Sequence, residues 1–254
     1  MERKRVLQDR ESEEIMLNQW QPLQTVLYDG WVLRFADGYT KRANSVNPIY
    51  FSSLAVHEKI RYCEKLYAAH GLNTVFKITP FVQPEHLDEI LASEGYAFMD
   101  PCSVQRRELA VVPQPEVRSV RVEEEMSGGW IDRFCSMQPV EKRHRTTMSR
   151  MLSNRCGDKG FFTLYHEGDA IACGLGIVDR GVLGIYDVVT GAEYRNRGFG
   201  EQLLLNIMRW GRERGAERAE LAVLLDNAPA LRLYEKLGFR EIYQYWYRVK
   251  EECR

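Results

Sequence analysis

Short apolar runs broken by turn residues fill the chain, and their spacing switches between period two and the three- or four-residue spacing of a helix. Thr25-Val26-Leu27-Tyr28 and the run from Trp31 to Ala36 flank Asp29-Gly30, a dipeptide that tolerates positive φ, so a tight hairpin is predicted. Helical spacing follows at Ile60, Cys63, Leu66 and Tyr67 and ends near Gly71, and a short second helix is expected over residues 84–93. Pro113 and Pro115 then interrupt regular structure between two apolar strand patterns. They divide the chain into an N-terminal α+β domain, residues 1–112, and a second domain, residues 113–254.

The second half predicts strands near residues 117–122, 161–165, 171–178 and 182–190, three of them forming a meander through turns at Glu167-Gly168-Asp169 and Asp179-Arg180-Gly181. Helices over residues 130–136 and 140–152 separate the first two strands and could border a substrate cleft. A further helix, about residues 200–215, sets Leu203, Leu204, Ile207, Met208 and Gly211 on one face and should pack on the sheet. An alternating strand over 219–224 and a short helix close the block. That helix has Pro229 in its first turn, Gly238 as its stop, and Leu231, Tyr234 and Leu237 on its inward face.

Composition narrows the function. Of 254 residues, 35 are Lys or Arg and 36 Asp or Glu, a formal charge of −1, so no global field recruits nucleic acid or an anionic membrane. The basic start runs into acidic residues rather than a signal-peptide core, and no apolar run approaches the ~20 residues of a membrane span. A cytoplasmic location is expected. Cys63, Cys102, Cys135, Cys156, Cys173 and Cys253 form no C-x-x-C pair, and no His-Cys cluster has metal-ligand spacing, so reduced thiols and no metal are expected.

The chemistry concentrates after the strand Tyr186-Asp187-Val188-Val189-Thr190, in Gly191-Ala192-Glu193-Tyr194-Arg195-Asn196-Arg197-Gly198-Phe199-Gly200. Glycines before a helix let backbone approach a ligand, and the first amides of a helix point outward at the positive end of its dipole, which suits a pyrophosphate. Arg195 and Arg197 add cationic forks for the same anion or a further phosphate. A tight strand-to-helix turn has the same pattern, so context decides. A dinucleotide fingerprint fails because Asp179 stands where the third glycine after Gly174-Leu175-Gly176 should be, and no Walker P-loop occurs.

Two motifs at the right separation supply that context. Arg195-Asn196-Arg197-Gly198-Phe199-Gly200 fits Q/R-x-x-G-x-G/A, and Asn227, Ala230, Tyr234, Gly238 and Phe239 fit N-x-x-A-x-x-x-Y-x-x-x-G-F. With the strand and helix order over residues 117–248, the chain resembles the GNAT superfamily of acyl-CoA-dependent N-acyltransferases. The resemblance implies a GNAT fold of α+β class, whose mixed, mostly antiparallel sheet splays between its fourth and fifth strands. It implies acetyl-CoA held there by the 195–200 loop, with backbone of Val188, Val189 and Thr190 free to pair with the pantetheine arm, a donor near Val189 as oxyanion site, and Asn227 touching the pantetheine. For Asn227 a plain helix cap is the competing reading.

Attack of a neutral amine on a thioester needs a proton acceptor and a donor for the thiolate. Tyr234 suits the donor, because a phenol of pKa ~10 stays protonated beside a thiol of ~8.5. Asp187, on the strand bordering the acetyl group, is the candidate base, with a water relay or a structural role as rivals. Glu220 ranks below it, since alternation with Leu221 and Val223 turns it outward.

The acceptor is a small-molecule or peptide amine, and an acyl-CoA sensor without turnover is the alternative function. Residues 1–112 carry no second R-x-x-G-x-G run, which leaves room for a degenerate copy of the same fold. Trp31 to Pro48 is similar to a stretch in two-domain bacterial GNAT proteins, and its polar part, Gly38 to Pro48, reads as a solvated connector or a pocket wall. Tyr243, Tyr245, Trp246 and Tyr247 read as an aromatic wall or as period-two core packing.

Overall fold

The computed structural model describes residues 2–154 and 156–251, so Cys253 lies outside the described residues. In chain order the elements are α1 (Glu2–Gln19), β1 (Gln24–Tyr28), β2 (Trp31–Phe35), β3 (Val46–Asn47), α2 (Val56–Ala69), β4 (Thr74–Ile78) and α3 (Leu87–Ser93). Then come β5 (Ala97–Glu108), β6 (Val120–Glu123), α4 (Gly128–Met137), α5 (Lys142–Leu152), β7 (Asp158–His166), β8 (Asp169–Asp179) and β9 (Val182–Thr190). The chain closes with α6 (Phe199–Glu213), β10 (Arg218–Leu224), α7 (Ala228–Lys236) and β11 (Arg240–Lys250). Two compact units emerge: one holds Met1–Ser103, Leu224–Asp226 and Ile242–Arg254, the other Val104–Val223 and Asn227–Glu241.

In the first unit the strands run β1-β2-β3-β4-β11, antiparallel except for β3 and β4. The hairpin forms as its sequence predicts: Asp29 and Gly30 take φ of +42° and +81°, which sets Tyr28 opposite Trp31. Its core gathers Trp31, Leu33 and Phe76 from the strands against Ile60, Cys63 and Tyr67 of α2.

The stretch from Gly38 to Pro48 is no solvated connector along its second half, since Ala43 to Pro48 are buried. Asn44 is buried, its Oδ1 accepting from the amides of Ala36 (2.7 Å) and Gly38 (2.9 Å) while its Nδ2 donates to the Thr40 carbonyl at 2.8 Å. Asn47, also buried, donates to the Ser45 carbonyl at 2.9 Å. The amides that looked soluble satisfy a buried turn's own backbone. Tyr243, Tyr245 and Tyr247 are buried on alternate positions of β11, so the core-packing reading holds for them. The Tyr243 hydroxyl donates to Glu13 at 2.8 Å, and Glu13 pairs with Lys77, whose Nζ lies 3.9 Å from the Tyr245 ring centroid.

In the second unit the order is β5-β10-β9-β8-β7-β6, with β6 to β9 antiparallel and β9 to β10 parallel. This is the mixed α+β sheet the motif order implies. Leu203, Leu204, Ile207 and Met208 of α6 join Leu183, Ile185, Ala219 and Leu221 of the sheet in one buried cluster. The helix sits close because Gly211 has no side chain: a Cβ there would come 2.7 Å from Leu183 Cδ2. Among the described residues no helix is long and apolar enough to cross a membrane, and no group of three or more His, Cys, Asp or Glu could hold a metal ion.

Candidate active site

The site begins as an irregularity in β9. Pairing with β8 runs from Asp179↔Val182 to Leu175↔Tyr186 and resumes at Cys173↔Val189 and Ala172↔Thr190, so Asp187 and Val188 together face Gly174. That extra residue is a β-bulge, and Asp187 accommodates it at φ +50°. A Cβ on Gly174 would lie 2.9 Å from Ile207 Cδ1 and 3.7 Å from Val188 Cγ2, so the missing side chain is what lets α6 and Val188 share the space. Asp187 is half-buried with Oδ2 out of solvent contact. Burial raises the thiol of Cys135 on α4, with Arg145 opposing and Asp132 and Asp187 adding to the rise. Helix α4 borders this end of β9, where Met137 Cγ lies 3.9 Å from a Cβ built on Gly191.

The other edge of β9 opens. Parallel pairing with β10 joins Val182 to Arg218, Leu183 to Ala219 and Gly184 to Glu220, and goes no further. Yet β9 continues to Thr190 and β10 to Leu224. The sheet is splayed between the fourth and fifth strands counted from its β6 edge, so that beyond Gly184 and Glu220 the two strands no longer pair with each other. Glu220 marks the last paired position, and here the sequence reading needs correction. It is fully buried rather than turned outward, its Oε1 accepting from Arg106 Nε at 2.9 Å and Arg218 Nε at 3.1 Å. Alternation separated the two faces correctly, and Arg218 and Ala222 on the face of Glu220 are half-buried, but two guanidiniums hold the Glu220 carboxylate out of water.

The loop after β9 turns back toward the gap. Gly191 donates its amide to the Ile171 carbonyl at 2.9 Å, residues Ala192–Tyr194 make a 3₁₀ turn, and Arg195 Nε donates to the Thr190 carbonyl at 3.1 Å. Asn196 and Gly198 both take left-handed φ, +59° and +83°. The Arg197 guanidinium sits 5.2 Å from the Phe199 ring centroid and 5.7 Å from that of Tyr194. No side chain caps the N-terminus of α6 at Gly198, and a Cβ built there meets nothing within 4 Å. Phe199 is buried, which points its ring into the core while its amide stays at the helix start.

Helix α7 stands beside this start. Leu233 Cδ2 lies 3.4 Å from a Cβ built on Gly200, Thr190 Oγ1 lies 3.5 Å from the same point, and Lys236 pairs with Glu201. Asn227 caps α7, its Oδ1 accepting from the Ala230 amide at 3.2 Å. Tyr234 is half-buried, its ring edge-on to Phe239 at 5.8 Å. The residues singled out from the motifs thus fall on the bulge, the glycine loop and α7, around the end of β9. Sequence reasoning passed over Gly174 and Arg106. The first had a signal, since a glycine inside a strand pattern points to a bulge, whereas the ion pair of Arg106 depends on strand order.

The family described as "Probable histone acetyltransferase Rv0428c C-terminal" matches residues 8–248. Among curated proteins, the uncharacterized N-acetyltransferase YobR of Bacillus subtilis (strain 168) is 30% identical over 226 residues, covering 87% of this chain and 90% of its own. This chain belongs to the GNAT N-acetyltransferases. The fold of this acetyltransferase is similar to that of a GCN5-related N-acetyltransferase from Kribbella flavida, with TM-score 0.72, 16% identity, and 95% and 94% of the two chains covered. A tandem GNAT protein from the clavulanic acid biosynthesis pathway aligns with TM-score 0.61 and 14% identity over 94% of this acetyltransferase and 88% of that chain. Both likenesses extend along nearly the whole chain, so the first unit belongs to the shared fold.

Proposed function

We propose that this acetyltransferase moves an acetyl group from acetyl-CoA to a primary amine by direct attack within a ternary complex. One observation carries the reading: parallel pairing ends at Gly184 and Glu220 while β9 and β10 run on, beside an uncapped helix start. A slot edged by backbone and ending at free amides suits a peptide-like arm that carries a diphosphate.

When bound, acetyl-CoA supplies the activated thioester carbonyl. The amides of Phe199 and Gly200 would take the diphosphate beside Gly198 and Asn196, with Arg195 and Arg197 neutralising it. The inner edge of Val188, Val189 and Thr190 holds the pantetheine arm, and an amide near Val189 steadies the oxygen that gains charge. Asn227 fixes the start of α7 and meets the arm beside it. Asp187 accepts the proton of the incoming ammonium, directly or through water; the Tyr234 hydroxyl gives one to the departing sulfur, and the proton that the nitrogen loses as the amide forms restores the phenol. We assign this chemistry to residues 113–254 and no cofactor site to residues 1–112.

The test is thiol release from acetyl-CoA with a panel of small amines and lysine peptides. Coenzyme A at 100 times its Kd should stabilise the protein by about 2.7 kcal/mol. Tyr234→Phe should retain that stabilisation and lose turnover by about 10²-fold or more. Unchanged turnover across pH in the variant removes Tyr234 from this role.

A further inference from the structure

Around the proposed transfer site lies a pattern of charge that the chemistry above does not use. Helix α5 has no acidic residue between Lys142 and Leu152, and it exposes Lys142, Arg143, Arg145 and Arg150 in a chain whose formal charge is −1. Arg143 is held by Glu141, Nε to Oε2 2.8 Å, and Arg145 lies 3.9 Å from Asp132 of α4. Lys142 stands one helical turn before Arg145, on the same stripe.

This stripe belongs to the same end of the unit as the bulge. The last turn of α4 reaches the end of β9, where Met137 Cγ lies 3.9 Å from a Cβ built on Gly191. Arg145 of α5 reaches Asp132 of the same helix α4 at 3.9 Å, which ties the stripe to the helix that borders this end of β9. One end of the unit thus holds opposite charges, a carboxylate on the strand and a cationic stripe on the helix packed beside α4. An amine reaches the site as an ammonium, which Asp187 favours. Any further charge on the acceptor meets α5, where a second cation is repelled and an anion is drawn in. A lysine- and arginine-rich tail fits that field poorly.

We propose that α5 selects acceptors whose reactive amine is accompanied by a carboxylate, with Lys142 and Arg145 meeting that group. The proposal rests on the transferase reading above. Exposed charge pairs contribute modestly, so a discrimination of about ten-fold is the expected scale for two such contacts in a partly covered cleft.

Two matched comparisons test it with the full-length protein and acetyl-CoA: amino acids against their carboxamides, and lysine peptides flanked by Asp and Glu against ones flanked by Lys and Arg. The small pairs and the peptide pair distinguish the two sources of a carboxylate. We expect kcat/KM to favour the carboxylate-bearing member of at least one pair by about ten-fold, and K142Q/R145Q to reduce that preference to about three-fold or less. Affinity for coenzyme A and melting temperature should not change in the variant. Equal or better use of the carboxamides and cationic peptides overturns the proposal, as does a preference that survives K142Q/R145Q. Loss of coenzyme A affinity in the variant also overturns it, because the stripe would then serve the cofactor's phosphates. If coenzyme A stabilises the protein but no amine releases thiol, the transferase reading itself fails and takes the proposal with it.

Discussion

Gly198 offers a test that separates backbone conformation from ligand contact. Its φ of +83° lies in the left-handed region, and it is the residue from which α6 starts. Any L-residue with a Cβ is strained there by about 1–2 kcal/mol, so Gly198→Ala should cost that much even though its methyl meets no protein atom within 4 Å. At roughly 2–4 °C per kcal/mol for a protein of this size, the melting temperature should fall by about 2–8 °C. Gly198→Asn should recover much of this loss, because asparagine adopts left-handed backbone more readily than alanine.

Affinity for coenzyme A should behave differently. The empty volume beside Gly198 is where a diphosphate would rest on the amides of Phe199 and Gly200, so both side chains would enter ligand space. Circular dichroism melts report the conformational cost and isothermal titration calorimetry the affinity. We expect coenzyme A to bind about ten-fold or more weakly to both variants, equivalent to ~1.4 kcal/mol, with Gly198→Asn near wild-type stability. If both variants bind coenzyme A with wild-type Kd, the diphosphate does not lie on the start of α6, and the proposed slot loses its anchor.

The buried pair of Lys77 and Glu13 sets a second expectation. Lys77→Met leaves Glu13 uncompensated at 0% exposure and should lose about 3–5 kcal/mol in urea unfolding, whereas Lys77→Met with Glu13→Leu should recover most of it. A double variant as unstable as the single would show that the pair is not the source of the loss. Acid unfolding tests Asp88, whose carboxyl is held below its usual range by hydrogen bonds from Arg248 at 2.7 and 3.0 Å and from Trp246. Because the folded value is the lower one, this contribution is complete above the ordinary carboxylate pKa of ~3.9 and disappears as pH falls through the folded value. Asp88→Asn should therefore flatten the acid limb of stability against pH, and an unchanged slope would contradict it.

What the sequence disclosed follows from which interactions are local. The strand Val182–Thr190 was readable to the residue, and α6 to within two, because turn residues and an apolar stripe mark their ends. Helix α1 escaped because it has no apolar stripe: Ile15 and Met16 are buried at its end, and Glu13 is tied to Lys77 from β4, a partner distant in sequence. β4 itself is buried at every position, which shows neither period two nor helical spacing, and β5 hides behind Pro101, Arg106 and Arg107. The gap between β9 and β10 could not be read at all without the family resemblance. Nothing in Ile185 or Leu221 says that pairing stops beside them, at a place flanked by a bulge opposite Gly174 on one side of β9 and a buried carboxylate on the other. The same logic explains Glu220. Period two told which face it occupies, but only the strand order, which brings Arg106 of β5 alongside, determines that this position is closed to water. A site built on the interruption of a sheet is therefore written partly in residues that contact no ligand, and Gly174, Glu220 and Arg106 are where changes to the slot should arise without touching the amides that line it.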